Sequence, residues 1–131
     1  AQYPKGLGQI EESVTRELNG SARYFEKTCF SCTGADDFLD HLKQLDKKQI
    51  IIAGIEAHIC VLQSAFDFMA EGYDVFVVTD AIASRKLTSY ESAIVRLSQS
   101  GAHIVNTESV LFEWLRDASH PEFKSLSKLI L

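Results

Sequence analysis

No basic run or stripe appears in the 131 residues: 13 Lys and Arg stand against 18 Asp and Glu, a net charge of −5. The two signs are mixed along the chain. A surface that tracks phosphates needs clustered Lys and Arg, so a nucleic-acid partner is not expected. Long apolar runs are missing too. The longest cover about five residues, against roughly 20 for a bilayer span, so no membrane partner is expected either. Ala1-Gln2-Tyr3-Pro4-Lys5 lacks the apolar stretch of a signal peptide. Cysteine is scarce and odd in number: Cys29, Cys32 and Cys60 make no disulfide framework. A reducing, cytoplasmic setting is the expectation. No repeat, low-complexity tract or linker divides the chain, so residues 1–131 read as one domain with one core.

What is present is an alternation of short apolar runs and helical patterns. Tyr3 to Gly8 reads as a loop because of its Pro and two Gly, and Ser21 to Glu26 as a short strand. Thr33-Gly34-Ala35-Asp36 resembles a capping box, opening a helix that carries Phe38, Leu39, Leu42 and Leu45 on one face. Gln49 to Gly54 is a continuous apolar run, as in parallel strands buried on both faces. His58 to Glu71 follows as a helix that is apolar nearly all round, closed by Gly72. Asp74 to Thr79 repeats the strand pattern. Thr88-Ser89-Tyr90-Glu91 is a second capping box, and its helix ends before Gly101. His103 to Val105 and Thr107 to Leu115 are the next strand and helix. Strands recurring about every 25 to 30 residues with helices between predict βαβ units: an α/β fold whose parallel sheet is covered on both faces.

Ligands bind such sheets beyond the carboxyl ends of the strands. Just past Gly54 lies Ile55-Glu56-Ala57-His58-Ile59-Cys60, with Cys60 where turn becomes helix. The free N–H groups and dipole of a helix N-terminus stabilise an anion, so a thiol placed there is a better nucleophile. The plain alternative is a small buried hydrophobe, which free cysteine usually is.

The stretch Gly54 to Ala65 is similar to the nucleophile motif of the isochorismatase-like cysteine hydrolases. Glu26-Lys27-Thr28-Cys29-Phe30-Ser31 resembles that family's lysine segment. Gln2-Tyr3-Pro4-Lys5-Gly6-Leu7-Gly8 and Ala118-Ser119-His120-Pro121-Glu122-Phe123-Lys124 match a subgroup that is not nicotinamidase. The resemblance runs from end to end of the chain, in order. It implies a three-layer α/β/α fold with a six-stranded parallel sheet, order 3-2-1-4-5-6. It implies Cys60 as nucleophile and Lys27 as the ammonium that favours the thiolate. It also implies a cis peptide between Ile55 and Glu56, with the Glu56 and Cys60 N–H groups converging as an oxyanion hole and the Glu56 carboxylate left to bond neighbouring loops. On the residues alone, Lys27 reads as an ordinary solvated lysine.

The activity implied is hydrolysis of a small carbonyl compound at a C–N bond: thiolate attack, departure of the amine, and release of the acyl-enzyme by water. No cofactor and no metal are implied, since the Asp-x-His metal site of nicotinamidases has no counterpart after Tyr3. Isochorismate itself is disfavoured, because that branch does without the thiol. Some relatives carry a ribonuclease label, which the negative charge opposes. A homo-oligomer is expected from the family and from Val110, Leu111, Phe112, Trp114 and Leu115 crowding one short helix. The rival reading is a catalytically silent scaffold that kept the fold for assembly.

The family's general-base Asp sits on a first, central strand that has no counterpart here. Without it two buried strands would face a gap with unpaired backbone groups, so the chain is expected to be a piece lacking its first strand and helix. Asp80, after Thr79, is read as structural, capping and orienting the loop that follows it. Cys29-Phe30-Ser31-Cys32 is a lone C-x-x-C without the second pair that zinc needs. His41, His58, His103 and His120 share no ligand spacing. His58 stands close enough to Cys60 in sequence to touch substrate, but reads more simply as a helix-start residue.

Overall fold

The computed structural model describes residues 1–18 and 20–130. Three parallel strands, β1 (Gln49–Ile55), β2 (Asp74–Ala83) and β3 (His103–Val105), lie in the order β1-β2-β3. They stand side by side as the 4-5-6 end of the expected order would. The helices are α1 (Pro4–Leu7), α2 (Glu12–Leu18), α3 (Phe38–Gln44), α4 (Leu62–Ala70), α5 (Leu87–Gln99), α6 (Thr107–Leu115) and α7 (Phe123–Ser127). A 3₁₀ turn, Cys32–Gly34, precedes α3, and a π-helical turn, Ala57–Val61, precedes α4. No helix among the described residues is long and apolar enough to cross a membrane.

Strand alternation explains the layering. Val75 and Val77 share one face of β2 and enter a cluster with Val61, Leu62, Ala65 and Phe68 from the turn and α4, and Ala93 and Leu97 from α5. Val78 points the other way and is also buried, and α6 packs against β2. Both α4 and α5 end in the same device. Gly72 (φ 87°) and Gly101 (φ 98°) take the left-handed conformation. The next residues then bond back into the last turn, Tyr73 N–H to Phe68 O at 3.0 Å and Ala102 N–H to Leu97 O at 3.1 Å.

β2 is the longest strand because it serves its two neighbours in different phases. Gln49 to Ile52 pair with Asp74 to Val77, but Gly54 pairs with Ile82. Ala53 of β1 therefore stands opposite the whole of Val78 to Ala81, while Val78 itself pairs with Val105 of β3.

Several sequence-based expectations are corrected. Ser21 to Glu26 is not a strand; the backbone there is irregular, and only a parallel bridge between Gln2 and Lys27 follows it. Tyr3 to Gly8 holds the short α1 rather than a plain loop, and α2 was not foreseen. Neither proposed capping box caps. α3 begins after Asp37 and α5 after Lys86, both without a side-chain cap. The Thr33 hydroxyl instead donates to Asp67 Oδ2 at 2.7 Å. β1 is not buried on both faces: Ile50 and Ile52 pack against the core, but Ile51, on the other face, is 42% exposed, and Ile55 is 70% exposed.

Candidate active site

Cys60 sits in the first turn after β1, beyond the carboxyl end of that strand. The peptide bond between Ile55 and Glu56 is cis. Past it the chain winds into a π turn rather than an α turn. The Ile59 and Val61 N–H groups both donate to the Glu56 carbonyl, at 3.1 and 3.2 Å. That carbonyl leaves the Cys60 N–H, between them in sequence, out of the pair. Ala57 and Val61 are buried and anchor the turn in the core, which leaves Cys60 half-buried at the rim.

Lys27 is half-buried as well, not a solvated surface lysine. Its Nζ donates to the carbonyls of Cys29 at 3.0 Å and Phe30 at 2.6 Å, and to Gln2 Oε1. The same Gln2 oxygen lies 3.8 Å from Cys60 Sγ. The structure thus brings Lys27 and Cys60 together around one amide oxygen. Gln2 is fixed for this from two sides. Its Nε2 donates to Thr28 O at 2.8 Å, and its neighbours make a parallel bridge, Tyr3 N–H to Lys27 O at 2.7 Å and Lys27 N–H to Ala1 O at 2.9 Å. Sequence reasoning quoted Gln2 within a matching stretch but gave it no role. Its place at the head of the Gln2-to-Gly8 stretch was the available signal.

The Glu56 side chain turns to the loop after β2. Its Oε2 accepts the Arg85 N–H at 3.1 Å, and its Oε1 lies 3.4 Å from Arg85 Nε. His58 Nδ1 is 2.9 Å from Ser84 Oγ and 3.6 Å from Glu56 Oε2. His58, Arg85, Lys86 and Ser89 line an open pocket of about 370 Å³ beside the cysteine turn. His58 therefore faces this pocket as well as opening a helical turn.

Asp80 is structural, but it orients a different loop from the expected one. Its Oδ1 accepts both the N–H and the hydroxyl of Thr107, each at 2.9 Å, and so ties the end of β2 to the start of α6. The Thr107 N–H, more than the Thr107 hydroxyl, holds the Asp80 carboxyl below its ordinary value, against an opposing effect of desolvation. Cys29 and Cys32 are free thiols, and Cys29 Sγ lies 3.3 Å from Ser31 O. Among the described residues no group of three or more His, Cys, Asp or Glu is placed to hold a metal ion.

Residues 5–109 match the isochorismatase domain. The chain belongs to the isochorismatase family. Isochorismatase family protein 1B of Dictyostelium discoideum is 48% identical over 130 residues, 95% of this chain and 62% of that protein. The structure named MAR1 ribonuclease from Caenorhabditis elegans superposes with a TM-score of 0.90 at 37% identity, over 98% of this chain and 66% of that one. The YcaC gene product of Escherichia coli, described as an octameric hydrolase of unknown specificity, gives 0.85 at 28% identity, over 99% of this chain and 71% of its own. The fold is that of the isochorismatase-like hydrolases. The chain spans between 62% and 64% of the length of its two Dictyostelium relatives.

Proposed function

We propose that this chain carries the thiol half of a cysteine hydrolase that opens a C–N bond in a small carbonyl compound. The observation that supports it most is the convergence of Lys27 Nζ and Cys60 Sγ on the Gln2 amide oxygen. A fixed ammonium beside a thiol favours the thiolate. The Cys60 thiolate adds to the substrate carbonyl, and the oxyanion is received by the backbone N–H groups of Glu56 and Cys60, as the family resemblance implies. Collapse of the adduct breaks the C–N bond, the amine leaves with a proton, and water releases the acid from Cys60. The proton of the thiol passes to a base that the family supplies as an Asp on its first strand. The pocket at His58 and Arg85 is where the remainder of the substrate would lie.

A ribonuclease reading is supported by the names of three similar structures, from Caenorhabditis elegans, Leishmania donovani and Leishmania major. The net charge of −5 and the absence of a basic run weigh against it. We also propose a homo-oligomer, as the Escherichia coli relative is octameric and α6 leaves Trp114 and Phe112 exposed.

The test pairs labelling with turnover. Cys60 is expected to react with iodoacetamide at neutral pH ahead of Cys29 and Cys32, resolved by peptide mass. All three thiols are half-buried, so exposure alone does not decide the order. A panel of small amides should then give ammonia or amine in the wild type and not in Cys60→Ser. Faster labelling of Cys29 and Cys32, or hydrolysis that survives Cys60→Ser, overturns the reading and leaves the silent scaffold.

A further inference from the structure

The ammonium of Lys27 is held by the Gln2 amide oxygen and, from its own segment, by the carbonyls of Cys29 and Phe30. Its position relative to Cys60 therefore depends in part on what holds that segment against the helix bearing the thiol. Two bonds cross between them, and both end on α4. The Cys32 N–H donates to Ser64 Oγ at 2.9 Å, and the Thr33 hydroxyl donates to Asp67 Oδ2 at 2.7 Å. Ser64 and Asp67 lie at helical spacing from Cys60, so thiol and grips share one face of one helical unit. Ser64 is 2% exposed, the one buried polar residue among the described residues. A buried hydroxyl at that position has a structural cost unless it is satisfied, and here it is satisfied by the lysine segment rather than by its own helix.

We infer that Ser64 is a positioning residue for the Lys27–Cys60 pair, assisted by Asp67: α4 sets both the thiol and, through these two bonds, the ammonium that faces it. This rests on the proposed roles of Lys27 and Cys60. The other anchor, Gln2, ties the start of the segment and the ammonium itself but does not reach past Thr28. The Ser64 and Asp67 bonds fix its far end, past the two carbonyls that hold Nζ. Losing them frees the Cys29 and Phe30 carbonyls to drift, and the ammonium with them.

The experiment is the pH profile of Cys60 alkylation by iodoacetamide in the full chain, for wild type, Lys27→Met, Ser64→Ala, Ser64→Thr and Asp67→Ala. Lys27→Met is expected to slow alkylation at neutral pH and move the profile's midpoint upward. Ser64→Ala should slow alkylation at neutral pH in the same direction, by about tenfold. Ser64→Thr, which keeps the hydroxyl, should restore the wild-type profile. A loss of packing alone would lower the melting temperature without moving the midpoint. If Lys27→Met has no effect, the reading of the lysine fails. If Lys27→Met shifts the profile and Ser64→Ala does not, the lysine stands and the positioning role of Ser64 is overturned. Should Ser64→Ala not fold, Asp67→Ala at its exposed position decides: an upward shift supports the grip, and a wild-type midpoint overturns it.

Discussion

Asp80 spends its charge on an element other than its own. Because the Thr107 N–H and hydroxyl hold its carboxyl below the ordinary value, the ionised form binds the folded chain better than the unfolded one. The resulting stability is fully present above 3.8, the unperturbed value, and is lost as pH falls through the lower folded value. Asp80→Ala should therefore unfold at lower urea than wild type at neutral pH, with the gap closing as the pH is taken below that value. A gap independent of pH would mean that the carboxylate does not carry the tie. The residue scale also shows what sequence can and cannot disclose about a site. The place of Cys60 just past β1 was legible because strand, turn and helix are local patterns that fix where a thiol falls. The nearness of Lys27 to it was suggested only by resemblance, since nothing in its neighbours distinguishes it from a surface lysine. Gln2 and Ser64 were not assigned roles, because what makes them matter is a partner far along the chain: Cys60 for one, Cys32 for the other.

Helix ends were easier to read than helix starts. Gly72 and Gly101 close α4 and α5 through backbone geometry that glycine alone adopts cheaply, so the residue type announces the structure. A start signal is a side chain that can be recruited elsewhere, and Thr33 was recruited by Asp67. Where a start does use its side chain, the effect should be measurable. Asn106 Oδ1 accepts the Ser109 N–H at 2.7 Å at the head of α6. Asn106→Ala is expected to cost about 1 kcal/mol in denaturant unfolding, and Asn106→Asp to recover most of it. Equal stability of Asn106→Ala and wild type would show that Asp80, gripping the next residue, suffices to begin the helix.

At the scale of the molecule, the sequence disclosed the parallel α/β plan and the order of β1, β2 and β3. It overstated the burial of β1, because a continuous apolar run records what a strand is suited to, whether or not a neighbour covers it. The same applies to α6, where Val110 and Leu115 are buried but Phe112 and Trp114 remain 38% and 69% exposed. If those rings meet another copy, light scattering at micromolar concentration should give a mass above the monomer, and Trp114→Glu should lower it. A monomer in the wild type counts directly against assembly.

The change of phase in β2 divides the sheet into a frame and a fitting. At Phe76 and Val77 the strand is locked to both neighbours; from Ile82 onward it answers only to β1 and leads into Ser84 and Arg85, which meet His58 and Glu56. The stretch between them works as a splice. Adding or removing one residue there exchanges buried Ile82 with exposed Ala83 and turns the whole rim inside out, while a change of two keeps the faces and slides the rim along β1. A change of length in that stretch also displaces Thr79 and Asp80, so the pocket wall and the start of α6 shift together.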